Sequence, residues 1–511
     1  MQGKLILVLS FLMPVFCIAA GGDSPYLDGK GLPLQWVVPF VGILLSIAVF
    51  PLVAEHFWHQ NFGKISLFWA LLLIIPLLLF HGIDTAIYEV LHVALLEYVP
   101  FIILLLSLFT ISGGVQLKGS LVGTPILNTL IIFIGTALAS WMGTTGAAML
   151  LIRPLLRANE HRQNKVHIIV FFIFLVANIG GSLTPLGDPP LFLGFLRGVS
   201  FFWTTSAMFL PMLFMVVSLL LIFFGLDTYF YRKEPPYETN DSENEKLNIE
   251  GSFNLLLLAG VVGGVLISGF WKSGVEIPIY HFALKLENIV RDILLLSLTY
   301  ASWTLTPKTI REANEYTWFP IEEVGKLFAG IFVTIIPAIA ILRAGLEGNL
   351  DWVIKLVTEN ENPNFMYFWM TGILSSFLDN APTYIVFFET AGGNPVELMG
   401  LKYKTLLAIS MGAVFMGANS YIGNAPNFMV KSIAESSNIK MPSFFGYILK
   451  WSLPILFPLF AIASWIFFSS TSRAIVCCRP LSLLWDASRI PFNLLFNFLL
   501  KSTTPAESTG T

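Results

Sequence analysis

Asp188 and Asp379 each stand beside a helix-breaking segment inside a long apolar run, where a carboxylate is costly and usually functional. Asp188 belongs to Thr184-Pro185-Leu186-Gly187-Asp188-Pro189-Pro190, which follows Gly143-Thr144-Thr145-Gly146. Asp379 opens Asp379-Asn380-Ala381-Pro382, which is followed by Ser420-Tyr421-Ile422-Gly423-Asn424-Ala425-Pro426. Proline has no N–H and pushes the preceding residue out of helical geometry, so Pro189, Pro190, Pro382 and Pro426 break their helices. Carbonyls one turn upstream then need another donor or a cation. At membrane depth such backbone is tolerated only inside protein or along a wet cavity.

The side chains around the breaks are nearly all neutral or anionic oxygen donors. Thr144, Thr145, Asn178, Ser182, Thr184 and Asp188 come from the first half; Asp379, Asn380, Thr383, Asn419, Ser420, Asn424 and Asn427 come from the second. Hard cations favour carbonyl, hydroxyl and carboxylate oxygen, whereas an organic anion calls for a convergent Arg or Lys, and the tips contain neither. The inventory therefore favours a small monovalent cation such as sodium, with no resident cofactor and no transition metal. Any one Asn or Thr, taken alone, reads equally well as a helix cap. Glu389 lies close behind the second tip and reads either as a further carboxylate on a proton path or as a residue of the hairpin mouth. His56 and His59 could meet on a helix but lack a third zinc ligand. Arg153 reads as snorkelling to the surface, and Glu97, His92, Arg291 and Asp292 read as solvated at span ends.

The elements that must carry these residues are transmembrane. With 55% hydrophobic and 12% charged residues among 511, the chain is too apolar for a soluble protein. Apolar stretches run at 33–54, 64–81, 91–112, 123–141, 166–197, 203–227, 252–271, 289–306, 324–343, 404–430 and 445–468. The fold expected is an all-α polytopic membrane protein. The breaks repeat: Gly143 and Asp379 lie 236 positions apart, as do Gly187 and Gly423. A duplicated pair of broken helices points to a transporter with its site near the midplane. A net charge of −3 with scattered basic residues speaks against a nucleic-acid partner. Cys17, Cys477 and Cys478 form neither a disulfide framework nor a metal motif.

Lys and Arg place loops in the cytoplasm, and the densest cluster is Arg153, Arg157, Arg162 and Lys165. If Lys118 is on the same side, the segment between must dip in and return, with Gly143 to Gly146 at its tip. The counterpart from Phe365 to about Gly392 spans roughly 42 Å of helix, too little to cross twice. Its acidic preceding loop places it on the opposite face, so the halves would be inverted. Residues 1–22 read as a signal peptide, 33–227 as the first repeat, 228–250 as a cytoplasmic linker, 251–468 as the second repeat, and 469–511 as an amphipathic segment and tail. The charged run Arg311 to Glu323 reads as a solvated connector.

Asn178 to Leu193, Ser376 to Thr383 and Gly417 to Asn427, with Trp318-Phe319-Pro320-Ile321-Glu322-Glu323-Val324, resemble the NhaD-type sodium/proton antiporters. That family lies in the ion transporter superfamily, with arsenite permeases and citrate and dicarboxylate carriers. The resemblance covers about residues 33 to 468. It implies two inverted repeats, each with a re-entrant hairpin and a discontinuous helix, and exchange of sodium, often lithium, for protons. It also implies a homodimer in the bacterial inner membrane. In this reading Asp188 and Asp379 bind sodium or protons in competition, and Thr184, Asn380, Ser420, Asn424 and exposed carbonyls complete the cation shell. Pro185, Gly187 and Gly423 complete the breaks. The rivals are arsenite efflux, sodium-coupled carboxylate uptake, a sodium-translocating decarboxylase subunit and an intramembrane aspartyl protease, the last lacking a second protease-like motif.

Overall fold

The computed structural model describes residues 25–119, 121–235 and 248–469. The signal-peptide reading, most of the linker, the cysteines and the C-terminal segment fall outside the described residues. Among the described residues helix occupies 76%, no sheet closes, and eight helices are long and apolar enough to cross a membrane. The pair Phe319–Thr334 and Ile336–Arg343, bent by 40°, makes a ninth when taken as one span. This is an all-α polytopic membrane protein.

The first half begins with α1 (Val38–Val53) and α2 (Glu55–His81). Then α3 (Ile83–Val93) runs through a π-helical turn, Ala94–Tyr98, into α4 (Val99–Ser112). The expected hairpin is α5 (Pro125–Met142) and α6 (Thr144–Ala158), joined at Gly143, whose φ of 80° suits glycine. Next come α7 (Val166–Leu175), a 3₁₀ turn at Ile179–Leu183, the break, and α8 (Pro189–Leu196). The 31-residue α9 (Phe201–Tyr231), about 46 Å long, closes this half.

In the second half α10 (Phe253–Phe270), α11 (Leu286–Leu305), α12 (Phe319–Thr334) and α13 (Ile336–Arg343) precede the second hairpin. That hairpin is α14 (Pro363–Phe377) and α15 (Asn380–Thr390). Then α16 (Tyr403–Met416), a 3₁₀ turn at Gly417–Asn419, the break, α17 (Ala425–Ser436) and α18 (Phe444–Phe468) follow. The starts of α6 and α15, and of α8 and α17, are each 236 positions apart.

Two apolar cores divide the molecule. One gathers residues of the hairpins with α7, α9, α16 and α18; the other gathers α1 to α4 with α10 to α13. Helices α8 and α15 lie on the seam. Leu191, Tyr384 and Phe388 belong to the first core, while Phe192, Leu193, Ala381 and Ile385 belong to the second.

The hairpin mouths sit at opposite ends of α9. The first is closed by Gly123 N donating to Ala158 O at 2.7 Å, and Arg162 just beyond it pairs with Glu234 at 3.1 Å, past the C-terminal end of α9. Beyond the second, Ser200 N donates to Met399 Sδ at 3.1 Å, at the N-terminal end of α9.

Charged positions depart from the solvated reading. Arg311 is buried, donates to Thr110 O and Ser302 O at 3.0 Å each, and lies over the Trp303 and Tyr316 rings. Arg162, from the basic loop, is fully buried against Asp227 at 2.7 Å, and Asp227 also bonds His167 and Asn128. Arg291 is buried beside Asp292. Desolvating a guanidinium requires such partners, and Thr110, Asp227 and Glu234 lie far away in sequence.

Candidate functional site

Each break is clamped onto a serine in the first arm of its own hairpin. The Thr184 hydroxyl donates to Ser140 O, and Ser420 Oγ donates to Ser376 O at 2.5 Å. Each of these hydroxyls also accepts an N–H two residues on, Leu186 or Ile422, at 3.2 Å. Ser140 and Ser376 are again 236 positions apart, a signal present in the sequence but not among the candidates drawn from it. Each hydroxyl thus supplies a donor to a carbonyl left free where its hairpin arm ends.

The clamps hold Asp188 and Asn424 in matching extended backbone, φ −144°, ψ 139° and φ −153°, ψ 139°. These two positions meet. Asn424 Nδ2 donates to Asp188 Oδ1 at 3.0 Å, and Asn380 Nδ2 donates to Asp188 Oδ2 at 2.7 Å. Thr144 is a further partner of the carboxylate, which is 1% exposed. Thus Asp188 of the first half is held by two amides of the second. Asn380 Oδ1 is buried without a hydrogen-bond partner, an acceptor oxygen available to a cation.

Asp379 is placed differently. It caps α15, its Oδ1 accepting from Ala381 N at 3.0 Å, while Thr383 Oγ1 donates to its carbonyl at 3.0 Å. Its side chain is half-buried and lines the same small cavity, about 90 Å³, as Asp188, Thr144, Thr145, Pro185, Gly187, Pro189, Asn424 and Pro426. No Lys, Arg or His lines that cavity. Asp379 and Asn424 also line a larger one, about 380 Å³, which runs along α17 and α6 to Arg153. Arg153 pairs with Glu315 at 2.9 Å rather than standing free at the surface.

Other candidates serve the scaffold of the breaks. Asn178 donates to Asn427 Oδ1 at 2.6 Å and to Ile173 O at 2.7 Å, while Asn427 donates to Gly417 O and Ser420 O. Asn419 donates to Ser376 Oγ at 2.9 Å. Ser182 is buried in its 3₁₀ turn, away from the cavity lining. Pro190 and Pro382 are buried in the first turns of α8 and α15, and Gly423 packs against Gly417 O, leaving no room for a side chain. Glu389 lies at the far end of α15, paired with Arg197 and with Arg343 at 3.0 Å. Glu97 is not solvated: Arg197 Nη2 bonds both of its oxygens at 2.9 Å. Among the described residues no three His, Cys, Asp or Glu side chains converge as metal ligands, and His56 bonds Gln60 at 2.9 Å.

A site of buried oxygen donors at two clamped helix breaks, inside a bundle of spanning helices, is a transporter's geometry. A family model described as "Putative citrate transport" matches residues 29–468. The chain belongs to this citrate-transport family. No curated protein matches it. Membership and the spanning helices make the chain an integral multi-pass membrane transporter. For a member of a citrate-transport family the cavity is unexpected in one respect, since both of its ionisable side chains are carboxylates.

Proposed function

We propose that this transporter exchanges sodium, and lithium, for protons at Asp188 and Asp379. The observation that carries the reading is the cavity lining: two carboxylates, one amide, two hydroxyls and helix-break backbone, with no cationic side chain. Citrate and other carboxylates would meet repulsion there, whereas a hard monovalent cation finds oxygen ligands. Sodium and the proton compete for the same oxygens. A protonated Asp188 or Asp379 loses cation affinity, and a bound cation displaces the proton, so competition is the coupling. The NhaD-like residues at both breaks favour the same reading.

Alternating access completes the mechanism. The larger cavity reaches Asp379 from the Arg153 side, which the basic loop 153–165 assigns to the cytoplasm. Hairpin mouths at opposite ends of α9 favour inverted repeats. The protein would act in a bacterial inner membrane.

The test is one assay. Purified full-length protein in proteoliposomes carrying a pH dye receives pulses of sodium, lithium, arsenite or citrate. Proton movement driven by sodium, with an apparent sodium KM that rises as pH falls, is the expected result. The family description favours a second reading, carboxylate transport; movement driven by citrate and not by sodium would establish it in place of the first.

A further inference from the structure

We propose that Arg197 and Glu389, with Glu97 and Arg343, are positioning residues that clamp the two carboxylate-bearing helices together and seal the second entrance to the site. Asp188 starts α8 and Arg197 follows its end; Asp379 caps α15 and Glu389 lies in its last turn. About nine or ten residues separate site from pair on each helix, roughly 14–15 Å. The Arg197 to Glu389 ion pair therefore joins α8 and α15 at the end remote from the site. The helices touch closely along the way, for a Cβ on Gly194 would fall 2.4 Å from Tyr384 Oη. Held at both ends, they move as one body and carry Asp188 and Asp379 together.

The same charges tie that body to its surroundings. Glu97 lies in the π-helical turn between α3 and α4, and Arg343 ends α13, both on helices of the other apolar core. Arg197 grips Glu97 through two 2.9 Å bonds, and Arg343 grips Glu389 at 3.0 and 3.1 Å. The pairs thus span the seam across which hairpin-bearing and framework helices would move. A cavity of about 250 Å³ enters there, lined by Tyr26, Glu89, His92, Glu97 and Arg343. It stops at the cluster, with neither Asp188 nor Asp379 in its lining. On the opposite side the larger cavity reaches Asp379. The molecule is therefore open to one face and shut to the other, and these four charges stand in the shut path.

Ion pairs suit a reversible seal. Largely buried, Arg197, Glu97 and Glu389 hold strongly; wetted, as Arg343 already is at the cavity edge, such charges are hydrated and separate readily. The glycines after α15 make room for this, since a Cβ on Gly393 would fall 2.5 Å from Glu389 Oε2.

The inference rests on the transport reading only for its flux readout, and side-specific labelling tests it independently. Full-length protein with its three cysteines replaced by serine carries Thr145→Cys as reporter and is treated with a membrane-impermeant maleimide from either face. The parent should label from the Arg153 face alone. Glu389→Gln and Arg343→Gln should raise labelling from the other face, by about tenfold and about threefold respectively. Without the reporter, both should lower kcat for exchange more than they change KM. Arg197→Glu should abolish exchange, since it sets a carboxylate against both Glu97 and Glu389. Arg343 is 58% exposed, so Arg343→Gln should fold even where Glu389→Gln does not. Labelling from the second face at the parent rate in every inserted variant would overturn the proposal, as would exchange at the parent rate by Arg197→Glu. Altered labelling in a protein that moves no sodium would leave the seal standing and refute the antiport reading instead.

Discussion

The two helix breaks share a backbone and differ in chemistry. Thr184 on Ser140 and Ser420 on Ser376 make the same clamp, and Asp188 and Asn424 emerge from it in the same conformation. Yet one is a carboxylate and the other an amide that donates to it. At the hairpin tips the exchange is reversed: Gly143 turns the first with φ 80°, while Asp379, φ −57°, caps the second. The clamp conserves the break, because carbonyls in hydrocarbon need donors in either half. The ionisable group is free to sit on either side of the interface, since both halves face one cavity.

The largest expected effect breaks the pairing outright. Asp188→Asn should lower sodium-driven proton movement at least about a hundredfold in proteoliposomes while insertion, read by size-exclusion elution, stays normal. Asp379→Asn should do likewise; full activity in both variants would sink the antiport mechanism. The exchange variant Asp188→Asn with Asn424→Asp asks whether the halves are interchangeable. Recovery of about tenfold over Asp188→Asn alone would support equivalence, and none would show that Asn380 distinguishes the two sites.

Weaker effects sharpen the same contrast. Asn380→Ala removes a donor to Asp188 and an unpartnered oxygen, so the sodium KM should rise about tenfold with kcat changed less. Thr184→Val and Ser420→Ala should each cost about 1–2 kcal/mol of stability, read by thermal unfolding in detergent, because each removes the hydroxyl that donates to its serine carbonyl. A large inequality between them would show that the clamps are not equivalent. Smallest of all, Gly143→Ala should strain a positive-φ turn by about 1 kcal/mol.

Much of the fold was legible locally. Apolar runs of spanning length, Gly143, Pro189, Pro382 and Pro426 fix where helices run and stop, since each acts within a turn or two of chain. The candidate site was legible in composition but not in arrangement. Asp188, Asp379, Asn424, Thr144 and Thr145 line the cavity and Asn380 joins it through its bond to Asp188, whereas Asn178, Asn427, Asn419 and Ser182 bind or pack away from it. Thr184 and Ser420, read as cation ligands, are the clamps. The solvated reading of Glu97 and Arg311 failed because a charge near a span end looks the same in sequence whether it meets water or a partner hundreds of residues away.

By itself the sequence determined a polytopic helical membrane protein, its two breaks, their 236-residue repeat and an oxygen-rich, cation-free pair of tips. These follow from hydrophobic length and from proline and glycine stereochemistry, which act along the chain. Only the tertiary structure decided that Asp188 is held by amides 192 and 236 residues away. It alone decided that Asp379 faces the open cavity and that Arg197 joins Glu97 to Glu389 across the seam. Burying a charge demands a partner, but desolvation does not specify which one; that depends on how the helices pack.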